Sequence, residues 1–242
     1  MCTVTYIPVK DKLFLTSNRD EKQWRRDAAI PAVYAYETGK ILFPKDADAG
    51  GTWIAVHENG NAIVLLNGGF LAHTPEPPYR KSRGLILLDL IKGATPYNSF
   101  LAVRLTGIES FTAIVWDNHH LFECRWDGKQ KHSKQLNQEL PYIWSSVTLY
   151  DDAVIRKRSQ WFETWINQNR RPTIQDIMHF HQFTGDGDSN NDLRMNRNGA
   201  IFTVSVTSLA ISSTNASMQY VDLKNDRHTE GYLTLAKTIL SR

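Results

Sequence analysis

Cys2 is the residue with the clearest chemical potential in this chain, because removal of Met1 would place a free α-amine beside its thiol. The thiol would then be a nucleophile and the α-amine its general base, so that one residue would hold both parts of the catalytic unit. Their ordinary pKa values, about 8 for the amine and about 8.5 for the thiol, allow proton exchange near neutral pH. The alternative is that Cys2 is an ordinary small apolar residue at the start of a strand.

A predicted hairpin brings a polar cluster back toward Cys2. Residues 2–7 and 12–16 are rich in β-branched and aromatic side chains, and the Pro8–Asp11 segment between them favours a turn. The second strand therefore returns residues 17–21, Ser-Asn-Arg-Asp-Glu, to the neighbourhood of the N-terminus. A solvated turn is the alternative interpretation of this polar run.

Arg19 and Asp20 in that cluster each have a plausible chemical role. A guanidinium lowers the pKa of a neighbouring thiol and binds a substrate carbonyl or carboxylate, whereas a carboxylate can hold an amine in place. Adjacent residues of a straight strand face opposite sides of the sheet. We therefore expect only one of the two side chains to reach the thiol directly.

The sequence pattern predicts many short strands with two pairs of helices. Strands are expected at residues 2–7, 12–17, 33–36, 40–43, 51–57, 61–67, 111–117, 120–126, 131–135, 142–147, 200–206, 208–213 and 217–222. Helices are expected at residues 82–93, 97–105, 151–167 and 173–183, the last with Thr173 as its N-cap. This mixture indicates an α+β fold with helices packed on sheets.

Four short motifs resemble one known family in their order and spacing. They are Met1-Cys2, residues 17–21, Gly-Thr-Trp-Ile-Ala at 51–55 and Leu-Asn-Gly-Gly at 66–69. Over about the first 85 residues they resemble the NRDE family, also called the transport and Golgi organisation family. That family is similar to the cysteine N-terminal-nucleophile hydrolases, the group of the bile-salt hydrolases and penicillin V acylases. The resemblance implies a four-layer αββα sandwich.

The resemblance also implies site residues. Cys2 would be the nucleophile, Arg19 and Asp20 its flanking charges, and Asn67 an oxyanion-hole or substrate-orienting residue. The further residues expected to support the site or bind substrate are Asn18, Glu21, Trp53 and Ser146. The hydrolases carry an oxyanion-binding Asn where this chain has Ser145 and Ser146, and loss of one such donor typically lowers the rate by about 10²-fold or more.

Two functions follow from the resemblance. The first is hydrolysis of a non-peptide C–N amide bond in an N-acyl small molecule, with a thioester on Cys2 as intermediate. The second is a non-enzymatic carrier of haem or a lipid such as acyl-CoA. Neither function requires a resident cofactor, although haem would be a ligand in the second. No metal site is predicted, because His179 and His181 do not share a helix face.

Composition limits the remaining classes. The 242 residues, with no linker or repeat, are interpreted as one domain spanning residues 1–242. A balance of 28 basic against 25 acidic residues argues against a nucleic-acid partner. The longest apolar run, residues 84–91, is too short to span a membrane. With two cysteines and no predicted signal peptide, we expect a cytoplasmic protein in which the thiols stay reduced; the oligomeric state is not predicted.

Overall fold

The computed structural model describes residues 3–93 and 95–236, which form two antiparallel sheets and four helices. The strands are β1 (Thr3–Val9), β2 (Lys12–Lys22), β3 (Ala29–Tyr36), β4 (Gly39–Lys45), β5 (Ile54–His57), β6 (Ala62–Asn67), β7 (Phe111–Asp117), β8 (His120–Trp126), β9 (Lys131–Leu136), β10 (Tyr142–Ser145), β11 (Asn196–Arg197), β12 (Ile201–Ile211), β13 (Asn215–Asp222) and β14 (Arg227–Thr234). The helices are α1 (Arg83–Ile91), α2 (Pro96–Ala102), α3 (Asp152–Gln168) and α4 (Ile174–Phe183).

Sheet I contains the strands from the two ends of the chain. Its order is β10-β1-β2-β12-β13-β14, with the short β11 paired to β12. β1 and β2 form the predicted hairpin, but its turn is only Lys10 and Asp11, because Pro8 and Val9 are still paired with Leu13 and Lys12. β1 is therefore an interior strand with a partner on each side.

Sheet II contains the middle of the chain in strictly sequential order, β3-β4-β5-β6-β7-β8-β9. Each neighbouring pair is antiparallel, as expected for the short connections within β3 to β6 and within β7 to β9. β6 ends at Asn67, and the chain then leaves the sheet before α1.

Side-chain alternation along the strands gives three packed interfaces. Val4, Leu15 and Leu209 of sheet I pack with Ile54 and Val64 of sheet II in the core between the sheets. The outer face of sheet II packs against apolar residues of α1 and α2. The outer face of sheet I packs against α3 and α4. The architecture is thus a four-layer αββα sandwich, and the predicted fold class is confirmed.

The caps explain where two of the helices begin. Thr173 accepts from the backbone N–H of Asp176, whose carboxylate accepts from the Thr173 backbone in return, so the predicted N-cap is part of a full capping box. Asp151 caps α3 through the N–H of Val154. No helix among residues 3–93 and 95–236 is both long enough and apolar enough to cross a membrane.

The last strands differ from the sequence prediction in two ways. Residues 200–206 and 208–213 were expected to form separate strands, but β12 runs unbroken from Ile201 to Ile211. A bulge between Thr203 and Ser205, opposite Asp20 and Arg19, absorbs one extra residue without ending the pairing. β14 was not predicted, because its sequence, Arg-His-Thr-Glu-Gly-Tyr-Leu-Thr, has weak apolar alternation.

Candidate active site

The predicted nucleophile, Cys2, lies outside the described residues, so the site is built from the groups that surround the start of β1. Thr3, to which Cys2 is bonded, is fully buried and pairs with Asn18 of β2 and Ser145 of β10. Val4 and Tyr6 face the core between the sheets, and Thr3 and Thr5 face the helices. The start of β1 is therefore enclosed by strands on both sides.

Arg19 projects into the space between the two sheets. Its Nη2 lies 2.7 Å from Oδ2 of Asp46 and 3.4 Å from Oε1 of Glu21. The guanidinium carbon lies 4.8 Å from the centre of the Trp53 ring, a cation–π distance. The Arg19 side chain is almost fully buried, so these contacts determine its orientation.

Asp46 is a site residue that the sequence analysis missed. Its Oδ2 accepts from both Arg19 and Arg25 at 2.7 Å, and its Oδ1 accepts from the backbone N–H groups of Asp48 and Ala49. Burial acts to raise the pKa of this carboxyl, but the Ala49 hydrogen bond and the two guanidinium charges outweigh it and leave the pKa lowered. No motif marks Asp46, since it follows β4 in an ordinary turn sequence.

Asp20 faces the opposite side of sheet I from Arg19. Its Oδ2 accepts from the hydroxyl of Tyr150 at 2.9 Å, and its Oδ1 accepts from the hydroxyl of Thr203 at 2.6 Å. The expected alternation of Arg19 and Asp20 is thus present, and Arg19 is the one that lines the space between the sheets.

Asn18 also faces the helices and lies away from the cavities. Its amide donates to the backbone carbonyls of His181 and Leu193 at 3.0 and 2.7 Å, and its carbonyl oxygen bonds Nδ1 of His181. Nε2 of the same ring lies 2.8 Å from Oγ1 of Thr5. Burial, reinforced by the charge of Arg158, lowers the pKa of His181 to about 3, so the ring is neutral. This position suits Asn18 to supporting β2 rather than to contacting a ligand.

Asn67 forms the wall between two cavities. One, of about 140 Å³, is lined by the charged groups Arg19, Glu21, Arg25 and Asp46 together with Trp53. The other, of about 130 Å³, is lined mainly by Leu66, Ile143, Trp144, Val147 and Ile155, together with Arg125 and Ser145. The side-chain amide of Asn67 has no hydrogen-bond partner in the part of the chain that the structure describes, and it is therefore available to a ligand.

Gly68 fixes the backbone that follows Asn67. Its φ of +85° lies in the left-handed region, and a Cβ at this position would come within 2.6 Å of Cγ2 of Val147 and 2.9 Å of Cγ2 of Thr148. Only glycine meets both conditions without strain. The Leu-Asn-Gly-Gly motif is thus explained locally by the close approach of residues 147–148.

Ser146 joins sheet I to the end of β6. Its buried hydroxyl donates to the backbone carbonyl of Asn67 at 2.9 Å and lies 2.8 Å from Oγ1 of Thr148. Ser145, in contrast, lines the apolar cavity. The hydroxyl of Ser146 is therefore used to hold Asn67 in place, while Ser145 is the more accessible of the two.

Trp53 is buried beside Arg19, and its indole Nε1 has no partner within residues 3–93 and 95–236.

Cys124 is buried between sheet II and its helices, where burial, reinforced by Glu123 and Asp117, raises the pKa of the thiol to about 12. Cys124 is therefore unreactive at neutral pH. No cluster of three or more His, Cys, Asp or Glu side chains suited to a metal occurs among the described residues.

This architecture is similar to those of solved hydrolase structures. A mutant of the conjugated bile acid hydrolase from Clostridium perfringens matches with a TM-score of 0.59 and 10% identity, covering 98% of this chain and 97% of that one. A second variant of that enzyme matches with a TM-score of 0.62 and 10% identity, covering 99% of this chain and 100% of that one. The Caenorhabditis elegans ortholog of N-acylethanolamine-hydrolyzing acid amidase matches with a TM-score of 0.59 and 11% identity, covering 86% of this chain and 92% of that one.

These similarities define the fold as that of the N-terminal-nucleophile hydrolases. The model of the family described as Transport and Golgi organisation 2 matches residues 1–241, and the chain belongs to that family. A comparison with curated protein sequences gives no match.

Proposed function

We propose that this protein is a cysteine N-terminal-nucleophile hydrolase that cleaves a non-peptide C–N amide bond of an N-acyl small molecule. The observation that carries the proposal is that Asn67 lines both cavities, one of them together with Arg19, and is linked to the start of β1 through Ser146, since the neighbouring Ser145 pairs with Thr3. A substrate spanning this junction would place one side of its amide bond in each cavity. The more apolar cavity suits the acyl chain, and the charged cavity suits the polar amine portion.

The proposed reaction begins with processed Cys2. The α-amine accepts the thiol proton while sulfur attacks the acyl carbonyl, and the resulting oxyanion accepts hydrogen bonds from donors such as the Asn67 amide. The C–N bond then breaks, and the departing amine takes a proton from the α-ammonium. Water attacks the thioester, which releases the carboxylic acid and regenerates the thiol. The net reaction converts one amide and one water into an acid and an amine.

The other predicted residues have supporting roles in this proposal. Arg19, held by Asp46 and Glu21, orients the polar portion of the substrate, and Trp53 supplies the wall behind it. Asp20 lies on the far side of β2, where its bonds to Tyr150 and Thr203 suit it to holding the strand end. Because the mechanism requires a free thiol, we further propose a reducing compartment such as the cytoplasm as the site of action.

Two cysteine variants test the hydrolase. Intact-mass measurement first establishes that Met1 is removed, and the purified protein is then assayed against N-acyl amino acids, N-acyl homoserine lactones, conjugated bile acids and penicillin V. We expect Cys2→Ala to abolish cleavage while leaving substrate binding largely intact, because the cavity walls are unchanged. Cys124→Ala is the matched control and should retain turnover. Undiminished cleavage by Cys2→Ala, or retention of Met1 in the native host, would contradict the mechanism.

A carrier of an apolar ligand is the second candidate, favoured by an open groove of about 510 Å³ beside the apolar cavity. The groove is lined by Phe70, Leu71, Ala72 and residues 147–153, and Leu71 is largely exposed at its edge. An acyl chain suits this surface better than haem does. Haem iron is ligated by His, Cys, Met or Tyr side chains. Among the described residues that line the groove and the two cavities, Tyr150 alone is of one of these types, and its hydroxyl is bonded to Asp20.

Titrations with haemin and acyl-CoA on wild type and Cys2→Ala distinguish the two candidates. Saturable acyl-CoA binding that survives Cys2→Ala, with no cleavage across the substrate panel, would favour the carrier. Cleavage that depends on Cys2 would favour the hydrolase.

A further inference from the structure

Arg158 of α3 is fully buried, and no described residue places a carboxylate within ion-pair distance of it. Its Nε and Nη2 donate to the backbone carbonyl of Asn191 at 3.1 and 3.0 Å, and Nη2 also donates to the carbonyl of Asp192 at 2.6 Å. Neutral acceptors thus satisfy most of the guanidinium. A buried charge without a counter-ion is costly, so its position calls for an explanation.

The remaining contacts of Arg158 reach the helix-facing side of the start of β1. Its Nη1 donates to Oγ1 of Thr3 at 2.6 Å, and Thr3 is bonded to Cys2, with consecutive Cα atoms about 3.8 Å apart. The guanidinium carbon also lies 3.6 Å from the centre of the Tyr150 ring. The hydroxyl of Tyr150 donates to Asp20. Arg158 therefore joins α3 to the start of β1 and, through Tyr150, to β2.

The other charged groups on the elements packed around the start of β1 have partners of their own. Arg19 is paired with Asp46 and Glu21. Asp20 lies beyond the Tyr150 ring, and His181 of α4 is neutral. Arg125 and Glu123 of β8 pair with each other, and the Asp192 carboxylate accepts from the Asp186 backbone. Arg197 donates to the Leu149 carbonyl, and its guanidinium carbon lies 5.4 Å from the centre of the Tyr150 ring.

We propose that Arg158 is a positioning residue whose charge lowers the pH at which the thiol–amine pair of Cys2 loses its first proton. This inference rests on the proposed nucleophile. Loss of one proton, from either the thiol or the ammonium, lowers the charge of the pair by one, and a neighbouring cation favours that change. The pair would then be poised for attack at neutral pH. The charge of Arg158 already acts in this direction on His181, where it reinforces burial in lowering the pKa.

The pH profile of Cys2 alkylation tests this proposal. Processed protein, verified by intact mass, is treated with iodoacetamide between about pH 5 and 9.5, and modification of Cys2 and Cys124 is quantified separately by peptide mass spectrometry. We expect Arg158→Gln, which keeps hydrogen-bond donors but removes the charge, to raise the midpoint by about one pH unit. Arg158→Lys should stay near wild type. Arg156→Gln, the same change at an exposed position of α3, should not shift the midpoint.

Two results would overturn the role of Arg158: an unchanged midpoint in folded Arg158→Gln, or equal midpoints in the Lys and Gln variants. If Arg158→Gln does not fold, NMR titration of wild type labelled with ¹³C at the cysteine β-carbons replaces it. We then expect first proton loss from Cys2 at a lower pH in the folded protein than in the same protein unfolded in urea, and an equal or higher midpoint in the folded protein overturns the proposal. Neither measurement requires turnover, so failure of the hydrolase in the substrate panel is distinguished from failure of this inference.

Discussion

Both ring nitrogens of His181 have hydrogen-bond partners that are compatible with a neutral ring. The Asn18 carbonyl oxygen can only accept, so Nδ1 carries the proton, and Nε2 accepts from the hydroxyl of Thr5. A second proton on this ring would displace the Thr5 hydroxyl hydrogen and place a charge in a fully buried position. The residue therefore opposes protonation of the native state rather than assisting catalysis directly.

His181 should make the stability of the protein fall as the pH is lowered. Its native pKa of about 3 lies below the ordinary 6.5, so between these values the unfolded state binds the proton and the native state does not. The stability contributed by the neutral ring is present above pH 6.5 and is lost as the pH falls, by up to about 1.4 kcal/mol per pH unit. We expect urea unfolding of His181→Gln at pH 7, 6 and 5 to show a shallower pH dependence than wild type. His179→Gln, at an exposed position of the same helix, should keep the wild-type slope, and equal slopes in all three proteins would contradict the assignment.

At the scale of single elements, β2 shows why the site was only partly predictable. The apolar run of residues 12–17 predicts a strand, but β2 continues to Lys22 with Asn18, Arg19 and Asp20 buried. A polar run breaks the apolar alternation, and in a sequence alone it is indistinguishable from a solvated turn. The partners that stabilise these side chains are Asp46, Tyr150 and His181, which lie 27, 130 and 163 residues further along the chain. Such long-range pairs leave no periodic signal.

The turn after β6 provides a prediction at the same scale. Gly68→Ala adds a Cβ that meets the rigid β-branched side chains of Val147 and Thr148, and it also strains a backbone with positive φ. We expect a loss of roughly 2–4 kcal/mol of unfolding free energy, measured by urea denaturation. Gly128 also has a positive φ, +102°, but a Cβ added there has nothing within 4 Å. Gly128→Ala therefore isolates the backbone strain and should lower the unfolding free energy by roughly 1 kcal/mol. Equal losses would show that the contact with residues 147–148 is unimportant.

At the scale of the whole molecule, the sequential order of sheet II was accessible from the sequence, whereas that of sheet I was not. Strands joined by short connections pair with their neighbours, as β3 to β6 and β7 to β9 do, and β6 pairs with β7 across residues 68–110, which contain α1 and α2. Sheet I instead pairs β2 with β12, which lies about 180 residues later, and β1 with β10. Nothing in local periodicity specifies these partners, and the αββα arrangement was inferred from the resemblance.

The predicted single domain should unfold as one cooperative unit. The core between the sheets joins strands from both ends of the chain to strands from its middle, so neither sheet keeps its inner face covered without the other. We expect far-ultraviolet circular dichroism and tryptophan fluorescence to give superimposable urea transitions. Two separated transitions would contradict the single-domain interpretation.

The enclosed start of β1 has a practical consequence for how the protein is made. Thr3 is fully buried and paired with a strand on each side. The proposed mechanism requires a free α-amine on Cys2, and an affinity tag fused at the amino terminus would prevent that amine from forming. β14, in contrast, lies at the edge of sheet I. Recombinant protein for any of these measurements should therefore carry its tag at the carboxyl terminus, or a leader that is cleaved directly before Cys2.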